Sequence, residues 1–413
     1  MTKHTLLATT GASPQVITET LHAIHHENLQ WPDDIYLITT SFGKKEAVKG
    51  LLEDGHLQRL CHELNRPVPK FDDTHVLATP GADGTEVEDA RSLADHEALA
   101  NFIMTEVRNR TASPDTSLHA SLAGGRKTMT FYIGYAMSLF GRVQDTLSHV
   151  LVSKDYETLR GFWFPTQAES HRYVANHKGQ TLDASTAEVT LAPIPFIRHR
   201  RNLPQVLLQN RETVQFAELV KLINLGENPQ GVHLTIDLPA QTLRVHNEDG
   251  TLNVEIALGV LELAFYTFMA RVTVIGENEW TRPPKDKPDD YLAELLLQDL
   301  LPLCGLLCSE NHDDNIKRLS DYNTMKTRFK SDTIDALRDG ISQNWFDSRK
   351  NKITRALTEK LPNSLVRWIA PASIWTNDGQ RLADEDIDKT LKGGGYGLPL
   401  RSHQIHILEH PPK

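Results

Sequence analysis

The sequence predicts an α/β protein in two parts: a mostly parallel sheet covered by helices in the first half, and a mainly helical second half. Three observations predict it. Short apolar strands alternate with helical segments over about the first 200 of 413 residues. That alternation stops near "RHRRNLPQ", which begins at His199. The chain is also longer than one hydrophobic core normally serves, so two domains are expected, 1–200 and 201–413.

The elements follow in order. "HTLLATT" reads as a strand and "SPQVITETLHAIHHEN" as a helix, in which Ser13 is suited to the N-cap and Pro14 to the first helical position. "DDIYLITT" is a strand, and "KKEAVKGLLEDGHLQRLCHEL" a helix. "THVLATP" is a strand, "SLADHEALANFIMTEVRNR" a helix, and "TSLHASLA" a strand. "TMTFYIGYAMSLFG" is a helix and "LSHVLVS" a strand; "GFWFPT" and "AEVTLAPIPFI" read as two more strands. Apolar strands joined by helices form parallel sheets covered on both faces.

In the second half, "ETVQFAELVKLINL" reads as a helix. A hairpin follows, with "GVHLTIDLPAQTLRV" and "TLNVEIA" joined at "EDG". "LGVLELAFYTFMARVTV" is helical by period, and the proline-rich "GENEWTRPPKDKPDD" is a loop. Further helices run to about Leu361; "LVRWIAPASIW" and "YGLPLRSHQIHIL" have strand composition.

Composition excludes some function classes. No apolar run approaches about 18 residues, so no membrane span is expected. The N-terminus carries no signal-peptide pattern, and three cysteines make no disulfide framework, so a cytoplasmic location is expected. A net charge of -10 confines any nucleic-acid contact to a local basic patch. Cys304, Cys308 and His312 fall at helical spacing, as do His22 and His26. The first set reads as the lining of a buried apolar helix and the second as a solvated helix face. Neither is expected to hold a metal, and no cofactor is expected.

Two strand ends carry unusual chemistry. In "ATTGASPQ", Thr9, Thr10 and Ser13 offer hydroxyls, Gly11 permits a sharp turn and Ala12 lies beside it. In "AGGRKT", Gly124 and Gly125 permit close backbone approach, and the helix that follows turns free N–H groups toward an anion. Arg126 adds a guanidinium fork and Lys127 a point charge; Thr128 completes the turn. The spacing is neither a Walker A loop nor GxGxxG. Ser41 in "ITTSFGKK" and the acidic "GADGTEVEDARS" follow two other strands.

The turn "TTGASPQVITETL", the helix start "SLAGGRKTMTFYIGYAMSLFGR" and the strand "LSHVLVS" together resemble the CRISPR-associated CARF-domain family over about residues 1–200. The resemblance implies a Rossmann-like domain that forms a homodimer and binds a cyclic oligoadenylate, the tetra-adenylate foremost. It places Thr9, Thr10, Gly11, Ala12 and Ser13 in one ligand loop and residues 124–128 in the other. Some members, the ring nucleases, also cut their ligand without metal: a ribose 2'-OH attacks its own neighbouring phosphorus. By that resemblance Ser13 (or Thr10) and Lys127, with Arg126 assisting, would do so here.

Two alternatives concern the second half. The first is a ligand-controlled winged-helix regulator. "LELAFYTFMAR" would be its first helix and "DSRKNKITRALTEKL", capped by Asp347 or Ser348, its recognition helix, with the last strands as the wing. Arg349, Lys350, Lys352 and Arg355 would contact DNA. The second is a HEPN-type ribonuclease, whose Arg-x4–6-His pattern occurs as Arg142–His149 and Arg401–His406, neither on a convincing helix.

Overall fold

The computed structural model describes residues 3–81, 83–88, 91–176, 178–208, 214–276, 281–387 and 394–409. The chain divides into two compact units. One is Met1–Arg201 with Leu208–Ala217, the other Asn202–Leu207 with Glu218–Lys413.

The first unit runs β1 (Lys3–Thr9), α1 (Gln15–His26), β2 (Asp34–Thr39), α2 (Ser41–Ala47), α3 (His56–Glu63), β3 (Val76–Ala78), α4 (Leu93–Arg110), β4 (Thr116–Ser121), α5 (Lys127–Phe140) and β5 (Thr146–Val152). Then come α6 (Glu169–Arg172), a small hairpin of β6 (Tyr173–Ala175) and β7 (Thr181–Asp183), and β8 (Val189–Pro193). The main sheet has the order β3-β2-β1-β4-β5-β8; all pairs are parallel except β5 with β8. Connections run outward from β1 to β3, then jump back to β4. Right-handed crossovers therefore put α1 and α3 on one face and α4 and α5 on the other. The buried residues Leu6, Ile17, Leu21, Ile24, Leu57 and Phe164 form the core of the first face. β1 and β4 flank the point where the strand order reverses, so the unit is a Rossmann-like, doubly wound fold.

Several expectations are corrected here. "GFWFPT" is not a strand; Phe162, Trp163 and Phe164 are buried in irregular backbone. The helix expected over 44–64 is interrupted: a π-helical turn, Val48–Glu53, leads to Gly55, whose φ of 72° stops it before α3. Ser13 is not the N-cap. Pro14 takes that position, with no side-chain cap, and the helix starts at Gln15. Of the two α1 histidines expected on a solvated face, His26 is exposed but His22 is not. His22 is buried, and its Nε2 lies 3.1 Å from Nε2 of His26.

The second unit contains α7 (Gln205–Leu208, whose last residue joins the first unit), most of α8 (Phe216–Gly226), β9 (Val232–Asp237), β10 (Thr242–Asn247) and β11 (Asn253–Ile256). It continues with α9 (Val260–Ile275), α10 (Asp290–Leu303), α11 (His312–Lys326), α12 (Ser331–Asp339), α13 (Gln343–Lys360) and α14 (Asn363–Ile369). Three short strands close it: β12 (Ala372–Ser373), β13 (Tyr396–Gly397) and β14 (Ile405–Leu408). α9 is apolar on all sides because it is the core, with Leu263, Phe265, Tyr266 and Met269 fully buried.

The expected hairpin is a three-strand meander. "LPAQ" makes an extra turn, where Gln241 takes a φ of 53°. "LVRWI" forms α14 rather than a strand. α10 ends at Leu303, with Cys304 at its C-cap and Gly305 at a φ of 75°, so Cys304, Cys308 and His312 share no helix. Among the described residues no group of three or more His, Cys, Asp or Glu is placed to hold a metal, and no helix is long and apolar enough to cross a membrane. The proline-rich 276–290 loop lies partly outside the described residues.

The winged-helix reading fits this unit poorly. α13 is capped by Ser342, whose hydroxyl accepts from the N–H of Trp345, so Asp347 and Ser348 lie inside the helix rather than at its start. Arg349 is half-buried and donates to Glu262 of α9 at 2.7 Å; Lys352 sits 3.6 Å from the same carboxylate. The Lys350 ammonium lies 5.5 Å from the centre of the Tyr396 ring. β14 is no wing strand, since it pairs in parallel with β9. The two Arg-His pairs are structural as well: Arg142 pairs with the fully buried Asp145 and Arg401 with Asp384, while His406 stacks on His233.

Candidate functional site

The β1 and β4 turns meet at the reversal of strand order, outside the carboxyl ends of the strands. Thr9 and Thr10 are fully buried. Thr10 takes its N–H to the carbonyl of Ile38 and its hydroxyl to the carbonyl of Ser13 at 2.8 Å, which folds the 10–13 turn on itself. The Thr9 hydroxyl donates across to the carbonyl of Gly124 at 3.4 Å. Both threonines thus shape the turns, whereas Ala12 and Ser13 are exposed.

Gly124 and Gly125 take φ of 82° and 77°, a backbone region that other residues enter only at a cost of about 1–2 kcal/mol. Packing adds to this at Gly124, where a Cβ would lie 3.1 Å from the carbonyl oxygen of Thr9 and 3.2 Å from Val16. A Cβ on Gly11 would lie 3.9 Å from Cα of Gly125. The backbones of the two turns therefore approach closely at their glycines.

Arg126 is the N-cap residue of α5 and Lys127 its first helical residue; both are exposed. The first N–H groups of α5 have no acceptor one turn back, so positive potential from the helix and from two cations converges on the turn. The Thr128 hydroxyl is buried and has no hydrogen-bond partner. Ser41 opens α2, its N–H donating to the carbonyl of Val87, and Thr40 caps the helix by accepting from Gly43. Gly43 matters although the sequence did not single it out. Its Cβ would sit 2.5 Å from the carbonyl oxygen of Gly11, so glycine lets α2 press against the β1 turn. The acidic loop is tied to the same helix by Glu86, which pairs with Lys44 at 3.1 Å, and to the end of β3, where the N–H of Val87 donates to the carbonyl of Thr79; Ala82, Asp89 and Ala90 lie outside the described residues.

A cleft of about 330 Å³ opens beside these turns. Ser13 and Gly124 line it, together with Gln15 and Glu19 of α1, His149 of β5, and Glu157 and Arg160 of the segment that follows. Arg126 and Lys127 are not in its lining. Of the α1, β5 and 157–160 residues, the sequence points to Gln15 only as the end of "ATTGASPQ" and to His149 only as half of an Arg-His pattern; it does not single out Glu19, Glu157 or Arg160. Gln15, Thr18, Glu19 and His22 share one face of α1 and all four are buried; the 156–164 segment lies against the first three. The Gln15 amide donates to the carbonyl of Arg160 at 2.9 Å, and Thr18 donates to that of Trp163. Burial, reinforced by the nearby Glu157 carboxylate, pushes the Glu19 carboxyl up to about 8. Burial likewise holds His22 down at about 4, with His26 and His25 adding to the effect.

The family model of CRISPR-associated protein NE0113 matches residues 13–225. No curated protein matches the chain. Among solved structures, Enterococcus italicus Csm6 bound to cyclic hexa-2'-fluoro-hexa-dAMP is matched at 11% identity and a TM-score of 0.24, over 86% of this chain and 61% of that one. The chain thus spans about three-fifths of the length of that protein.

Proposed function

The chain belongs to the CRISPR-associated NE0113 family, and from that premise we propose that its first unit is a CARF domain that binds a cyclic oligoadenylate, the tetra-adenylate foremost, in a type III CRISPR response. The observation that carries this reading is the meeting of the 9–13 and 124–128 turns at the reversal of strand order. There two glycines of left-handed backbone open the start of α5 beside Arg126 and Lys127. That arrangement suits a phosphodiester. A ring of such groups has rotational symmetry, so a homodimer would offer the same pair of turns to both halves.

We further propose that the bound ring is cut. The ribose 2'-oxygen bonds to the adjacent phosphorus and the bond from phosphorus to the 5'-oxygen breaks, giving a 2',3'-cyclic phosphate and a 5'-hydroxyl. The 2'-proton leaves and the 5'-oxygen gains one. Ser13 is the better placed hydroxyl for aligning the attack, because that of Thr10 is buried and bonded within its turn. Lys127 would stabilise the phosphorane charge, with Arg126 assisting. Incubating labelled cyclic tetra-adenylate with the protein and a chelator tests this. Linear product that falls at least about a hundredfold in Lys127→Ala supports it; an intact ring that is nonetheless bound leaves sensing alone.

A further inference from the structure

The cleft beside the turns has a wall that phosphate binding does not explain. Gln15 and Glu19 are one helical turn apart on α1, so their side chains lie about 5–6 Å apart at Cβ. Both line the cleft and both are more than nine-tenths buried. The Gln15 amide nitrogen is anchored on the Arg160 carbonyl, which fixes the amide plane. Its Oε1 is buried with no hydrogen-bond partner. The Glu19 carboxyl has no hydrogen bond or ion pair among the described residues. Buried polar atoms are rarely left unpaired, because each costs about 1–3 kcal/mol. An unpaired buried amide oxygen beside an unbonded carboxyl on one wall of a cleft points to a ligand with matching groups.

The other ionisable groups around Glu19 do not supply them. Glu157 and Arg160 are exposed at the cleft mouth, and His149 comes from β5. β8, packed on α1, carries no ionisable side chain. On α3, Arg59 pairs with Glu63 and lies over the Phe164 ring. His22, on the same helix, faces His26. Among the described residues, the charge that acts on the Glu19 carboxyl is that of Glu157, which favours the neutral acid.

A neutral carboxyl presents one O–H donor beside one carbonyl acceptor. Adenine presents the complement, a ring nitrogen acceptor beside an amine with two hydrogens. We propose that Gln15 and Glu19 are the base-reading edge of the site: Glu19 donates to an adenine ring nitrogen and accepts one amine hydrogen, and Gln15 Oε1 accepts the other. This rests on the turns being an oligoadenylate site and deepens it. The turns hold the phosphodiesters, and the cleft distinguishes the base.

The test is calorimetric titration of cyclic tetra-adenylate at pH about 7 and about 9, where neither adenine nor a phosphodiester titrates. In the native protein the neutral acid falls from nearly all to a small minority across this interval, so affinity should drop about tenfold. Glu19→Gln keeps a donor beside an acceptor and cannot ionise, so it should bind at both pH values with no such drop. Glu19→Ala should bind at least about tenfold more weakly at pH 7. Equal affinity of native protein and Glu19→Ala, with the variant folded by circular dichroism, overturns the proposal. So does the same pH dependence in Glu19→Gln, which remains decisive if the alanine variant does not fold. Failure of the native protein to bind any ring would instead strike the oligoadenylate reading itself.

Discussion

The two units solve the problem of burial in opposite ways. In the second unit the central helix α9 is enclosed by side chains of its own kind. Phe265 meets the rings of Trp345 and Phe346 edge-on, and even the Tyr266 hydroxyl finds the Ile369 carbonyl at 2.7 Å. Its charges are paired, as Arg349 is with Glu262 and Arg271 with Asp299. In the first unit, burial reaches groups that resist it. Glu19, His22 and His119 are buried, and two consecutive glycines hold a left-handed backbone beside the β1 turn. A chain tolerates such costs where they serve something other than stability. That contrast supports the proposal that the messenger site lies in the first unit.

The contrast can be broken from either side. The largest effect on stability should come from the second unit. Phe265→Ala removes a fully buried ring and should cost about 3–5 kcal/mol, read as a lowered urea midpoint. A loss below about 1 kcal/mol would mean the core is less closed than described.

Acid should act on the first unit. Burial holds His22, His56 and His119 at about 4, the last behind a hydrogen bond to Ser148. In the unfolded chain a histidine titrates near about 6.5, so the unfolded state takes up protons first. The stabilisation is complete above that value and is lost as pH falls through about 6.5 toward about 4, at up to about 1.4 kcal/mol per pH unit for each group. Amide exchange at pH 7 and 5 should show α1, α3 and β4 losing more protection than α9 and α13. Equal loss in both units would remove the distinction.

A smaller stability effect is expected at Gly124. Valine there meets the Thr9 carbonyl and a positive φ, for about 1–3 kcal/mol, and the unit should remain folded by circular dichroism.

Much of the first unit is legible in the sequence because a parallel sheet enforces a simple rhythm of apolar strand and amphipathic helix. The two turns are legible too, since Gly11, Gly124 and Gly125 stand where apolar strands end. The cleft is not. Gln15 and Glu19 read as the polar side of an amphipathic helix, and the 156–164 segment that lies against them is distant in sequence. "GFWFPT" misleads for a related reason: its aromatic rings are covering pieces without a strand partner. In the second unit the errors fall on short elements. α14 looks like a strand because Leu365, Val366, Trp368 and Ile369 are all buried, which hides the helical period. The parallel pairing of β14 with β9 joins residues about 170 apart, and no local pattern announces it.

Calorimetric titration of cyclic tetra-adenylate and its larger ring homologues into the native protein and Gly124→Val tests the central claim most directly. Heat from one ring per two chains in the native protein, abolished in a Gly124→Val variant that remains folded, is the expected result. No heat with any ring, or undiminished binding in that variant, would contradict the assignment of the paired turns as the messenger site.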